Sequence, residues 1–302
     1  MILALAFLAC STPAPSTPAP TPVAAPAPAE KQAIVIKGSD SEVNVVQRLS
    51  EEFMKTHADV AISVTGGGSG TGVAALIDGT CTLANSSRDF EADEKVKAQA
   101  RNVAPTAFIF ATDAVGIVVN AKNPATKTDV ATLGAIFRGE QKTWKALGGA
   151  DKPVSLYGRQ SNSGTYSFFK KTVVAGADGK GDYSADLKQM NGNAQIVEGI
   201  TTDEAGIGYA AAGYVKGKEG IKLLNLVVDG TEIAPGDEAA VLSGKYPLAR
   251  PLYQFMNGKP TGALKDFLAY EASDAGKAII AGEGFYPVFP DKVAGNTALL
   301  GG

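Results

Sequence analysis

The segment Gly158–Phe169 reads G-R-Q-S-N-S-G-T-Y-S-F-F and sets a guanidinium, several hydroxyls and a side-chain-free glycine at a spacing suited to holding a small anion. Val154–Tyr157 before it has the pattern of a strand end, and Tyr166, Phe169 and Val173 after it recur at helical spacing. Ser163, Gly164 and Thr165 therefore fall in the first turn of a helix, where backbone N–H groups lack partners and the helix dipole favours negative charge. Arg159 adds a forked cation. Ser163 on its own would be read as a helix cap, so the anion reading needs support elsewhere in the chain.

That support comes from two more strand-to-loop-to-helix units. Ala33–Lys37 alternates as a strand and runs through Gly38, Ser39, Asp40 and Ser41 into a helix with Val45, Leu49 and Phe53 on one face. Val60–Thr65 is a strand that enters G-G-G-S-G-T-G, Gly66–Gly72, before a helix carrying Val73, Leu76 and Ile77. Consecutive glycines let a backbone approach a ligand closely, at an entropic cost that a plain connector has no reason to bear. The run lacks the lysine of a P-loop, and no frame through it satisfies G-x-G-x-x-G. A nucleotide is therefore not expected. A further short strand, Thr82–Arg88, ends on Asn85, Ser86, Ser87 and Arg88.

The remaining elements fit an α/β chain. Asp113–Val119 reads as an apolar strand, Asp129 opens a helix with Leu133, Ile136 and Phe137, and Ile196–Tyr209 reads as a helix followed by a strand. Leu248–Phe255 reads as a late strand, and Leu264–Ile279 as one C-terminal amphipathic helix. The order β-α-β-α-β-α-β predicts parallel sheet.

The chain has 302 residues, enough for two lobes, with 45% apolar and 20% charged residues and a net charge of -3. That balance excludes a nucleic-acid partner. The only histidine, His57, sits in a polar stretch, which argues against a serine–histidine hydrolase. No metal-ligand spacing is present, and Asp89, Glu91, Asp93 and Glu94 read as a solvated helix start. Ser167–Lys170 spells S-x-x-K, but within an amphipathic helix and with no downstream K-T-G. No cofactor is expected.

Residues 1–10 comprise the apolar run Ile2–Ala9 followed by Cys10, too short to span a bilayer and readable as the end of a signal peptide. Leu8-Ala9-Cys10 resembles the lipobox of bacterial lipoproteins, which implies lipidation at Cys10. Residues 11–32 are rich in Pro, Ala, Ser and Thr at their start and read as a tether. The second cysteine, Cys81, reads as a buried small apolar residue.

Together, G-S-D-S, V-T-G-G-G-S-G-T-G, S-S-R and R-Q-S-N-S-G-T resemble the ligand loops of the phosphate-binding proteins that feed bacterial ABC importers. Ala135–Glu140 with Trp144, Gly148 and Gly149, and Gly206-Ile207-Gly208-Tyr209, extend the resemblance over nearly the whole mature chain. It implies an α/β, two-lobed periplasmic-binding-protein fold of type II, with the ligand cleft between lobes at the C-terminal ends of the strands. It also implies that Ser39, Ser41, Ser69, Gly70, Arg159, Ser163, Gly164 and Thr165 bind phosphate, and makes Ser87 and Arg88 candidates. Asp40 is the candidate acceptor for the phosphate proton, its other reading being a cap for the helix that starts near Glu42.

The expected lobes are 33–113 plus 247–302 and 114–246. The expected partners are inorganic phosphate, a membrane ABC permease, and the membrane itself through Cys10, for a monomer in a periplasm or on an outer cell surface. A receptor for sulfate or molybdate is the alternative within the class. A phosphatase-type enzyme and a surface adhesin are the alternatives outside it.

Overall fold

The computed structural model describes residues 31–301; Cys10, the signal-peptide reading of 1–10 and nearly all of the tether lie outside the described residues. Two mixed sheets carry the fold. The first contains β1 (Gln32–Gly38), β2 (Val60–Thr65), β3 (Leu83–Ser86), β4 (Pro105–Ala114) and β12 (Ala249–Asn257), in the order β2-β1-β3-β12-β4. The second is built from β5 (Gly116–Asn120), β6 (Lys127–Thr128), β7 (Ser155–Arg159), β8 (Lys188–Met190), β9 (Gly206–Ala210), β10 (Ile221–Val228) and β11 (Thr231–Ile233). Its order is β11-β10-β5-β9-β7-β8, with β6 beside β10.

The helices form where the apolar spacing demands them. Val43–Thr56 buries Val45, Val46, Leu49 and Phe53 along one stripe, a pattern that only a 3.6-residue period satisfies. Asp129 caps the helix Val130–Phe137 by accepting from the Thr132 amide. Each sheet has its own apolar core. Ile36, Leu49, Phe53, Leu252 and Phe267 pack in the first, and Ile117, Phe137, Phe169, Ile207 and Tyr209 in the second.

The parallel pairs β1/β2 and β1/β3 in one sheet, and β7/β8 and β7/β9 in the other, send their C-terminal ends into loops. Those loops contain the predicted anion residues. The sheets are nonetheless not all parallel. β12 runs antiparallel between β3 and β4, and β5 runs antiparallel to both β9 and β10. The stretch Asp113–Val119, expected as one strand, is the end of β4 and the start of β5, broken at Val115. β4 itself was not expected, because P-T-A-F-I-F-A-T-D-A does not keep a strict alternation.

The chain passes between the sheets at two adjacent places. The Val115 amide donates to the Leu248 carbonyl at 3.0 Å, and the Tyr246 hydroxyl donates to the Val115 carbonyl at 2.8 Å. The C-terminal helix expected as one is two, Gly262–Ala272 and Asp274–Gly282, separated by an extended Ser273 whose hydroxyl caps the second. A last helix, Val293–Leu300, lies against β4, where Asn296 accepts from the Ile109 amide and donates to its carbonyl. Cys81 is half-buried rather than buried, and this partial burial pushes its thiol up to about 11.

Candidate anion-binding site

The first sheet contributes hydroxyls from three loops. Ser39 and Ser41 follow β1, Ser69 opens the helix Ser69–Ile77 after β2, and Ser87 follows β3; all four are buried. The Ser69 hydroxyl accepts from the Ser87 amide at 3.1 Å, with Ser87 Oγ 3.3 Å away. The Gly68 backbone at φ 95° makes the turn into that helix, and a Cβ there would stand 2.8 Å from the Asn162 carbonyl of the opposite sheet. A side chain at this position would force the two sheets' loops apart.

The second sheet answers with a cation and a helix start. Arg159 ends β7 and is buried; its Nη2 donates to the Asn191 carbonyl at 2.8 Å, while Nε and Nη1 have no hydrogen-bond partner among the described residues. Burial pulls its pKa down and the nearby Asp40 opposes that pull, but a guanidinium remains charged. Ser163 caps the helix Gly164–Phe169 by accepting from the Thr165 and Tyr166 amides. Its hydroxyl therefore serves as the cap, and Gly164 comes close to the other sheet. A Cβ on Gly164 would overlap Ser69 Oγ and stand 2.7 Å from Ser87 Oγ.

Direct bonds join the two sides. Ser41 Oγ and Thr165 Oγ1 share a hydrogen bond of 2.9 Å. The Gly70 amide donates to the Asn162 carbonyl at 3.0 Å, and Asn162 Nδ2 donates to the Gly67 carbonyl at 2.8 Å. Asp40 Oδ2 accepts from the Asn193 amide and side chain at 2.9 and 3.1 Å and lies 3.5 Å from Arg159 Nη1. The Tyr214 hydroxyl donates to the Asp40 carbonyl at 2.7 Å. Asp40 is thus chiefly a cross-cleft link, and among the described residues its Oδ1 makes no hydrogen bond. It does not cap the following helix, whose N-cap is Glu42.

A second guanidinium, Arg250 at the start of β12, was not anticipated. Its Nε and Nη2 donate to Asp113 Oδ2 at 3.0 and 2.8 Å, and Nη2 also reaches Thr165 Oγ1 at 3.0 Å and Ser41 Oγ at 3.4 Å. Nη1 donates to the Ser87 carbonyl at 3.2 Å. Asp113 offsets its charge, so Arg250 orients hydroxyls more than it adds net positive potential. A signal existed: Arg250 and Gln254 alternate with Leu252 and Met256 on the core-facing side of β12, where polar residues need a reason. Asn193 and Asn162 left no such trace, since Asn162 sits in a polar loop and Asn193 opens the helix Asn193–Thr202 straight after the polar run Asn191-Gly192.

Arg88 is the predicted residue that the structure keeps apart. Its Nη1 and Nη2 donate to the two Glu94 oxygens, each at 2.7 Å, and Nε faces Glu91 at 3.2 Å. Glu91 and Glu94 also form the capping box of the helix Ala92–Ala100, so the fork is already occupied. The S-x-x-K lysine, Lys170, pairs with Asp182 at 2.9 Å, and His57 stacks on Phe53. Neither approaches a serine in a nucleophile–base arrangement. The groups brought together are hydroxyl donors and two guanidinium cations from both sheets, chemistry suited to holding a compact oxyanion.

Known proteins share the sequence and fold of this chain. A model of the PBP superfamily domain matches residues 22–275. Phosphate-binding protein PstS of Pseudomonas aeruginosa is 33% identical over 276 residues, covering 85% of this chain and 83% of that one. The protein of the same name from Staphylococcus aureus is 32% identical over 265 residues, covering 84% and 78%. Among solved structures, a phosphate ABC transporter substrate-binding protein from Clostridium perfringens with bound phosphate superposes with a TM-score of 0.75 at 25% identity, covering 85% of this chain and 100% of that one. An ABC-type phosphate transport receptor from Vibrio cholerae gives 0.67 at 25% identity, covering 84% and 100%.

Proposed function

The chain belongs to the PBP superfamily, with the type II fold, and to its phosphate-binding proteins, and from that premise we propose that it captures inorganic phosphate between two lobes and hands it to a membrane ABC importer. The observation that carries this is Arg159, a buried guanidinium with two nitrogens lacking hydrogen-bond partners, set opposite the hydroxyl loops of the other sheet. An unpaired buried donor costs free energy unless a ligand satisfies it. A small anion supplies that partner.

The lobes of this reading are 33–113 plus 247–302 and 114–246, and the chain crossing at Val115 and Leu248 supports that division. Its ligand residues are Ser39, Ser41, Ser69, Gly70, Ser87, Arg159, Ser163, Gly164 and Thr165. Asp40 Oδ1 takes the phosphate proton. The protein works as a receptor without turnover, as a monomer outside the cytoplasm, tethered by a lipid on Cys10.

Native mass spectrometry and calorimetry with inorganic phosphate test this reading, with sulfate and molybdate as competitors and an aryl phosphate as turnover probe. Tight phosphate binding without product is expected. Preference for molybdate, or release of the aryl alcohol, overturns it.

A further inference from the structure

Glu42 is fully buried at the start of the helix Val43–Thr56, and among the described residues neither carboxyl oxygen has a hydrogen-bond partner. Such a group is expensive unless it is neutral or paired. Its neighbour in the first anion loop, Ser39, is in the same position: buried, with Oγ unpartnered. The two are adjoining, since the Glu42 amide donates to the Ser39 carbonyl at 3.2 Å, and the Ser39 hydroxyl beside the carboxyl works to lower its pKa, against the larger upward push of burial.

Resting on the functional reading above, we propose that Glu42 is a positioning residue for the anion: as a neutral carboxylic acid it donates its proton to Ser39 Oγ and leaves the Ser39 hydroxyl proton free for the ligand. A serine hydroxyl has one proton to give and two lone pairs to receive with. With a neutral acid behind it, Ser39 accepts from Glu42 and donates forward. An ionised Glu42 instead accepts that single proton, turns Ser39 lone pairs toward the anion, and places a negative charge behind the site. Ionisation therefore acts against the ligand twice.

The surroundings favour the neutral form. Arg250 of β12 is the charged neighbour that would stabilise a carboxylate, but Asp113 of β4 already occupies it. Glu271, from the helix Gly262–Ala272, adds a second buried carboxyl whose charge raises the Glu42 pKa further, and Glu42 in turn raises that of Tyr214. Burial is the largest influence and raises the Glu42 pKa well above the carboxylate range.

The test is phosphate affinity by calorimetry for the wild type, Glu42→Gln and Glu42→Ala between about pH 6 and 10, a span that runs well above ordinary carboxyl titration. Taking ratios at each pH cancels the titration of phosphate itself. A Gln side chain can donate to Ser39 without ionising, so Glu42→Gln is expected to stay within about threefold of the wild type at neutral pH, while Glu42→Ala loses about tenfold or more, as a lost buried donor does. Toward high pH the wild type should weaken relative to Glu42→Gln. A ratio flat across the range, or Glu42→Gln as weak as Glu42→Ala, overturns the proposal. Infrared spectroscopy reads the same state without ligand: a protonated-carboxyl band at neutral pH that Glu42→Gln removes is expected, and its absence overturns the neutral acid. A wild type that binds no phosphate at any pH overturns the functional reading instead, so the two failures are distinct.

Discussion

Ser41 Oγ and Thr165 Oγ1 lie 2.9 Å apart although 124 residues separate them in the chain. Arg250 Nη2 reaches both, so neither hydroxyl needs its own proton to satisfy that guanidinium. One hydroxyl proton closes the pair and the other remains for a ligand. Ser41→Ala and Thr165→Val should each weaken phosphate binding by about 1 kcal/mol. A double-mutant cycle should show coupling of about 0.5 kcal/mol or more, since the residues touch. Strict additivity by calorimetry would mean that the pair does not act together on the anion.

Arg159→Ala should weaken phosphate binding by roughly 2 to 4 kcal/mol, because a charge-assisted pair in a buried cleft exceeds a surface one. Arg159→Lys should recover only part of this, as a point charge cannot use the positions of both Nε and Nη1. Either variant binding like the parent removes Arg159 from the ligand set.

Gly164→Ala puts a methyl group into Ser69 Oγ and against Ser87 Oγ, and both serines are buried. Phosphate affinity should fall by at least about tenfold, in line with the cost of overpacking a close contact. Small-angle scattering should show the wild type contracting on adding phosphate and the variant failing to do so. Equal contraction would show that the Gly164–Ser69 approach is not needed for closure.

Asp40 carries the selectivity prediction. Its Oδ2 is held by Asn193, which aims the carboxylate across the cleft. A carboxylate there can accept the proton of hydrogen phosphate but meets only lone pairs on sulfate. Asp40→Asn should lower the phosphate-to-sulfate affinity ratio by at least about tenfold at constant ionic strength. An unchanged ratio assigns Asp40 to the cross-cleft link alone.

Stability should depend on pH through Glu271. Burial lifts its pKa to about 8, with the Gln254 amide opposing the shift, whereas in the unfolded chain a glutamate titrates at about 4.3. The contribution is complete below the unfolded value and is lost as pH rises through the folded one, because across that window only the folded state keeps the proton. The wild-type melting temperature should fall between about pH 5 and pH 8. Glu271→Gln should show a shallower slope over the same range; an identical slope would assign the loss to other groups.

The anion loops were legible in the sequence because each joins a regular strand to a regular helix, so Ser39, Ser69 and Arg159 could be placed by counting from apolar repeats. What was not legible depends on pairing between distant segments. Arg88 looked like a free cation beside Ser87 until the Glu94 side chain, one helical turn into the next element, closed on its fork. Arg250 and Asp113 sit on strands joined by register, and nothing local in either strand names its partner. β4 escaped notice because its sequence alternates poorly, and with it went the antiparallel half of the first sheet. Glu42 was read only as the start of a helix, since burial of a carboxyl is a property of what later packs over it.

The position of β12 between β3 and β4 has a bearing on the order of assembly. Among the described residues β12 is the last strand to be synthesised, with only helices after it, yet it is the internal strand that joins β3 to β4. A nascent chain emerging from a ribosome or a translocation channel can pair β1 with β2 and β3 early, and can complete the whole of β5 to β11 as an uninterrupted stretch. It cannot join β4 to this sheet until β12, from residue 249 on, arrives to lie between β4 and β3. The inserted half is thus free to mature first, while the half holding both chain ends waits with an open edge on β3, a non-local closure of the kind that slows folding and exposes unpaired strands.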